Sequence, residues 1–156
     1  VISFKKICWK NFLSFGNYWT ELDFDKDITV IVGSNGAGKS TFLDCLSFVL
    51  FGKTFRKINK PQVVNSITKK CCFVDIDFEA YGHHYRVCRG MKPNVFDIYK
   101  DGSLVPQDAA TGDYQDYLET EVLRCNHKTF CQMVILGAAN YTPFFDMMAA
   151  DRRRFV

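Results

Sequence analysis

The octapeptide Gly33-Ser34-Asn35-Gly36-Ala37-Gly38-Lys39-Ser40 constrains the fold more than any other stretch of the chain. It spells G-x-x-x-x-G-K-S and stands between a short apolar run and an apolar pattern of helical spacing. Gly33, Gly36 and Gly38 permit backbone conformations and close approaches that a Cβ would forbid. Successive N–H groups can then face an anion at the positive end of the following helix. Read this way, the loop is a phosphate cradle for a nucleotide, with ATP and Mg²⁺ as the expected cofactors. Lys39 would reach the β- and γ-phosphates, which makes it the candidate catalytic residue. Ser40 would place its hydroxyl on the metal. Ser34, Asn35, Ala37 and Thr41 complete the candidate nucleotide-binding set. A glycine-rich turn entering a helix by accident is the competing reading, and the flanking elements argue against it.

Those flanks are as follows. "ITVIVG" at 28–33 is β-branched and continuously apolar, as expected of a strand buried on both faces. After the loop, Phe42, Leu43, Leu46, Val49 and Leu50 recur at helical spacing, with Gly52 as C-cap. Upstream, 2–12 and 18–24 read as two strands joined by a turn at Gly16-Asn17. Downstream, "VDIDFEAYGHHYRVCRG" alternates apolar and polar residues around Gly82, the pattern of an antiparallel hairpin with one wet face. "VFDIYKDGSLV" repeats it around Asp101-Gly102. A helix is expected over about 111–124, a strand at "FCQMVIL", and a further helix after Pro143 that runs uncapped into Val156. The fold class is therefore α/β, a mixed sheet with an antiparallel part. No repeat, low-complexity tract or linker divides the 156 residues.

Hydrolysis needs more than a phosphate cradle. A second acid must close a buried strand, to hold Mg²⁺ and orient water. "CCFVDID" at 71–77 offers Asp75 and Asp77, but Val74, Ile76 and Phe78 alternate with Asp75, Asp77 and Glu79. That marks a half-exposed strand whose acids face solvent rather than a catalytic pair. No L-S-G-G signature is present. The chain thus reads as half of an ATPase.

Charge and cysteine content narrow the setting. The net charge of +3 is too small to argue for nucleic acid by itself. Its distribution matters more: Lys53, Arg56, Lys57, Lys60, Lys69 and Lys70 fall within 53–70 with no acid among them. That stretch is either a solvated loop or a contact to a phosphate backbone. The seven cysteines are odd in number and lack a C-x-x-C pair. With no secretory signal or long apolar span, they fit a reducing cytoplasm and no membrane. Cys71-Cys72 and His83-His84 are adjacent pairs, which on strands point to opposite faces. They read as structural rather than as zinc ligands.

Several stretches carry a narrower resemblance. "WKNFLSFG", "IVGSNGAGKSTFLDCLSFVLFGK", "KPNVFDI" and "NYTPFFDMMAADRRRFV" resemble the N-terminal half of an SMC-like ATPase head of double-strand-break repair. The likeness is greatest to the ATPase subunit of SbcCD-type nucleases in its tailed-phage form. The resemblance implies that 1–145 form the N-terminal ATPase lobe and that 146–156 begin a coiled coil. It further implies a C-terminal lobe carrying the second acid and signature motif, a head-to-head homodimer, a metal-dependent nuclease subunit and double-stranded DNA as partners. The setting would be the host bacterial cytoplasm.

Two positions depart from the family pattern. The family's γ-phosphate-sensing Gln falls on Ala138, with Gln132 six residues earlier as the other candidate. The basic residue that often follows the Asn-Phe pair is here Leu13. A stand-alone P-loop kinase, with Arg152–Arg154 imitating a lid, and a nucleotide-gated module without turnover are the remaining alternatives.

Overall fold

A computed structural model describes residues 1–24, 26, 28–107 and 111–135. Its frame is a sheet of six strands in the order β2-β1-β3-β4-β5-β6, every neighbouring pair antiparallel. The strands are β1 (Ile2–Lys10), β2 (Thr20–Asp23), β3 (Cys72–Ala80), β4 (His83–Met91), β5 (Val95–Lys100) and β6 (Ser103–Leu104). Both predicted hairpins form. Tyr81-Gly82 and Asp101-Gly102 all take positive φ, the backbone that tight two-residue hairpin turns demand.

The sequence alternation decides which face is covered. Val74, Ile76 and Phe78 of β3 are fully buried, as are Ile7 of β1, Val87 of β4 and Ile98 of β5. Helix α1 (Thr41–Phe51) lies in this core, and every residue from Asp44 to Phe51 is buried. Removing one such aromatic side chain from water is worth about 1.5–3 kcal/mol. The Phe12 ring sits 5.4 Å from Phe48, which ties the turn after β1 to the helix. Short helix α2 (Lys60–Val63) and helix α3 (Thr111–Tyr117) follow the helix and the sheet respectively. A π-helical turn at Leu118–Leu123 continues α3 within the expected 111–124 helix.

Two expectations fail. "FCQMVI" at 130–135 is not a strand: helix α4 (His127–Met133) takes its first four residues, started by the Asn126 side chain, which accepts from the Thr129 N–H. Phe130 packs 5.1 Å from Phe51, so a helical face buries it while Met133 and Val134 stay exposed. The second failure is the run before the loop. Residues 28–33 form no strand and lie exposed, with Ile28 at 81%, Val30 at 76% and Val32 at 84%. No described strand pairs with them, and without a partner ladder neither their hydrogen bonds nor their apolar faces are satisfied. The helix expected after Pro143, and with it 146–156, lies outside the described residues.

Candidate nucleotide-binding site

The loop from Gly33 to Ser40 joins this exposed run to α1. Gly36 and Gly38 take φ of +82° and +88°, the left-handed region where a side chain is strained. A Cβ at Gly38 would also come within 2.8 Å of the Phe15 ring, so the turn after β1 backs the loop. A Cβ at Gly33 would meet Ala37 Cβ at 3.3 Å. Two backbone bonds fold the loop, Ala37 N–H to the Ser34 carbonyl at 3.2 Å and Thr41 N–H to Gly38 at 3.0 Å. The N–H groups of Gly36, Gly38, Lys39 and Ser40 donate to no protein acceptor among the described residues. Four free donors at the start of an eleven-residue helix make a site for a multiply charged anion.

Lys39 adds the cation. Its ammonium donates to the Gly33 and Ser34 carbonyls, each at 2.7 Å, and so already bends over the loop. Ser40 is exposed and makes no side-chain cap, which leaves its hydroxyl free for a metal-bound phosphate. Thr41 differs from the other candidates: it is buried and its N–H is taken by Gly38, so it supports the loop rather than facing the ligand. Donors, cation and hydroxyl together fit a nucleotide polyphosphate with Mg²⁺.

The first turn of α1 is fixed from behind. Asp44 is fully buried, accepting from the Arg56 backbone N–H at 3.0 Å and from its guanidinium Nε at 2.6 Å. Arg56 is therefore spent on structure, although the sequence groups it with the basic stretch. Lys53, Lys57, Lys60, Lys69 and Lys70 of that stretch are exposed. At the other end of α1, Gly52 takes the left-handed cap conformation and its N–H returns to Phe48. The Arg89 guanidinium donates to the Val49 carbonyl and the Gln115 amide to Leu50. Burial lowers the Arg89 pKa to about 9, so it stays a cation at neutral pH, placed at the negative end of the helix. The residue pattern announces Gly52 but not the Arg89 and Gln115 contacts.

The doubtful candidates resolve by their partners. Asp75 lies on the sheet face away from the core, as the alternation requires, but it is covered rather than solvated. Arg86 holds it from the next strand with Nε at 3.0 Å and Nη2 at 2.6 Å, which uses the carboxylate up. Asp77 is partly exposed and faces His84 at 3.5 Å. Burial raises its pKa, with Asp75 as a lesser cause. Gln132 sits on α4, and its side-chain oxygen is buried without a partner. Leu13 is held at both backbone groups, by Val63 and by the Asn65 side chain. His127 Nε2 lies 2.8 Å from Ser47 Oγ, whose hydroxyl donates to Lys53 O; the pair locks α4 to α1. Among the described residues no cluster could hold a metal ion by itself, and no helix is long and apolar enough to cross a membrane. Ala138 and Arg152–Arg154 lie outside the described residues.

The chain is similar to known proteins. The family described as "AAA domain" matches residues 6–148. Exonuclease subunit 2 of Enterobacteria phage T4 is 38% identical over 152 residues, which are 97% of this chain and 27% of the relative. The DNA double-strand break repair Rad50 ATPase of Methanocaldococcus jannaschii is 35% identical over 95% of this chain and 14% of its own. The chain thus spans roughly a quarter or less of the length of these relatives. A solved chain from work on ATP-driven dimerization and DNA-stimulated activation of SMC ATPases superposes with a TM-score of 0.64. It is 22% identical and covers 97% of this chain and 96% of that one, so it shares the fold of an SMC-type head's N-terminal lobe.

Proposed function

The chain belongs to the AAA-domain family matched over residues 6–148, and from that premise we propose that it is the ATP-binding half of a DNA-nuclease ATPase. The single observation that carries this reading is the loop: four unpaired N–H groups with the Lys39 ammonium bent across them. Gly33, Ser34, Asn35, Gly36, Ala37, Gly38, Lys39 and Ser40 would hold the ATP phosphates, with Thr41 behind them. Lys39 would neutralise charge as the terminal phosphoryl group leaves, and Ser40 would ligate the metal. Mg²⁺, when bound, supplies charge neutralisation between the phosphates.

Turnover requires parts from outside these residues. Asp75 is closed by Arg86, and the exposed Ile28–Val32 run calls for a neighbouring strand. We assign both missing parts to a C-terminal lobe of the same polypeptide, which would supply the second acid and cover the run. Residues 1–145 would then be the N-terminal lobe and 146–156 the start of a coiled coil. The similarity to an exonuclease subunit and to a double-strand break repair ATPase supports a role in recombination and DNA end processing. A head-to-head homodimer, a metal-dependent nuclease subunit and duplex DNA would be the partners, in the host bacterial cytoplasm.

The test is Lys39→Ala in the full-length protein. The Lys39 ammonium donates only to loop carbonyls among the described residues, so its loss chiefly removes charge. ATP turnover, measured as phosphate release, should fall by at least about a hundredfold, the scale for a lost electrostatic group. Binding of the nuclease subunit should persist in pull-down. Turnover unchanged in the variant would overturn the assignment.

A further inference from the structure

At one end of the sheet, three loops bring lysines and aromatic rings together away from the phosphate loop's own residues. Tyr18 and Trp19 are 61% and 53% exposed, large for aromatic side chains beside a strand. The Lys10 ammonium lies 4.9 Å from the Trp19 ring centre and 5.6 Å from that of Phe73. Phe73 is spread over the neighbouring strand: a Cβ at Gly90 would strike its ring at 2.5 Å. Glycine there is what lets the ring lie flat.

The loops are stapled, not loose. The Asn11 side-chain amide donates to Asn17 Oδ1 and to the Cys71 carbonyl, each at 3.0 Å. Cys71 N–H in turn donates to the Lys92 carbonyl at 2.7 Å. These bonds draw Lys69 and Lys70, just before Cys71, and Lys92 to the same edge, and all three are exposed. Residues 9–19, 68–74 and 89–95 contain no acid. The next acids along β2, Glu21 and Asp23, are taken by Lys6 at 2.7 and 3.9 Å. The edge is thus a cationic patch with ring faces open to solvent.

We propose that Tyr18, Trp19, Lys10, Lys69, Lys70 and Lys92 form a binding site for single-stranded nucleic acid. Unstacked bases lie on the open rings, and the lysines follow the phosphates between them. A duplex hides its base faces and would gain only from the charges, so the exposed rings select a single strand. The lysine over Trp19 and Phe73 keeps cation and rings in register, which a merely solvated charge run would not do. The site deepens the DNA-processing reading, on which the choice of nucleic acid over other polyanions rests. It names the strand form that a nuclease complex exposes at an opened end.

The probe is a fluorescently labelled twelve-residue oligothymidylate, titrated by anisotropy with the full-length protein. Trp19→Ala and Tyr18→Ala should each weaken binding by at least about fivefold, the scale for a lost base–aromatic stack. Trp19→Phe keeps a ring and should stay within about threefold of the parent. Lys10→Gln should reduce the log–log salt slope by about 0.7, the value for one single-strand phosphate contact. ATP affinity of Trp19→Ala should stay close to that of the parent, because the ring of this turn that backs the loop is Phe15 and Trp19 is exposed. Equal affinity of parent and both alanine variants would overturn the proposal, as would a duplex of equal phosphate count losing as much affinity as the oligothymidylate in those two variants. Competition by inorganic polyphosphate as effective as by the oligonucleotide would also overturn it. ATP-dependent cutting of duplex ends tests the broader reading separately, so either can fail while the other stands.

Discussion

Strand β3 and the run at 28–33 both carry β-branched residues, yet Val74 and Ile76 are fully buried while Val30 and Val32 are largely exposed. The difference is not in their side chains. β3 has β1 on one side and β4 on the other, so every backbone group on its two edges can pair and α1 closes its inner face. The run at 28–33 has none of these neighbours among the described residues. Apolar composition therefore states a demand for cover, and topology decides whether the same segment of chain meets it. The two regions meet in α1, whose C-terminal end is saturated by Gly52, Arg89 and Gln115 while its N-terminal end keeps free donors.

The comparison is sharpest where substitution should hurt most. Phe78→Ala removes a fully buried ring that stacks on Tyr85 at 5.6 Å and meets Phe4 edge-on at 6.0 Å. It should cost about 3–5 kcal/mol in urea denaturation. A loss below about 1 kcal/mol would mean that β3 is no better packed than the open run.

A smaller effect should come from pH. Burial, and then Lys53, lower the pKa of His127, which joins α4 to α1 through Ser47. A depressed imidazole is neutral in the fold, whereas the unfolded chain takes up its proton near the ordinary value of 6.5. Stability is thus complete above that pH and falls as pH drops from there toward the folded value. Urea midpoints from pH 7.5 to 5 should decline, and His127→Gln should flatten that part of the decline. An identical profile in the variant would remove His127 from the packed region's account.

The smallest effect belongs to the open run. Val30→Ser in the 156-residue chain should change stability by no more than about 0.5 kcal/mol, as for an exposed site. In the full-length protein the same change should cost more, and amides 29–32 should gain protection from hydrogen exchange. Equal cost in both contexts would break the contrast between demand and cover.

Local rules made much of this fold legible. The Gly-Lys-Ser loop, the apolar spacing of α1 and its Gly52 cap, and the hairpins at Gly82 and Asp101-Gly102 all depend on short-range backbone chemistry. Helix α4 was missed because Val134 and Ile135 look β-like, although Asn126 before His127 carried a usable cap signal. The buried strand expected at 28–33 fails for a non-local reason: no strand lies beside it among the described residues. The Asp75–Arg86 pair and the Arg89 cap join residues 11 and 40 positions apart, a range that periodicity does not reach. At the site, the Gly-Lys-Ser spelling marks where the loop lies, whereas the burial of Thr41 at the first position of α1 is not visible in a motif.

The contact of Lys39 with Gly33 and Ser34 carries a kinetic meaning. The lysine is tethered to two carbonyl oxygens of its own loop, so any incoming ligand must compete with an intramolecular rival at high effective concentration. Two neutral dipoles are easily displaced by a polyphosphate that also engages the free amides, and poorly displaced by an anion offering a single charge. With a nucleotide as ligand the loop would act as a threshold filter: a monophosphate or a simple buffer anion would exchange without moving the lysine, and release of a long phosphate chain would restore the tethered state unaided.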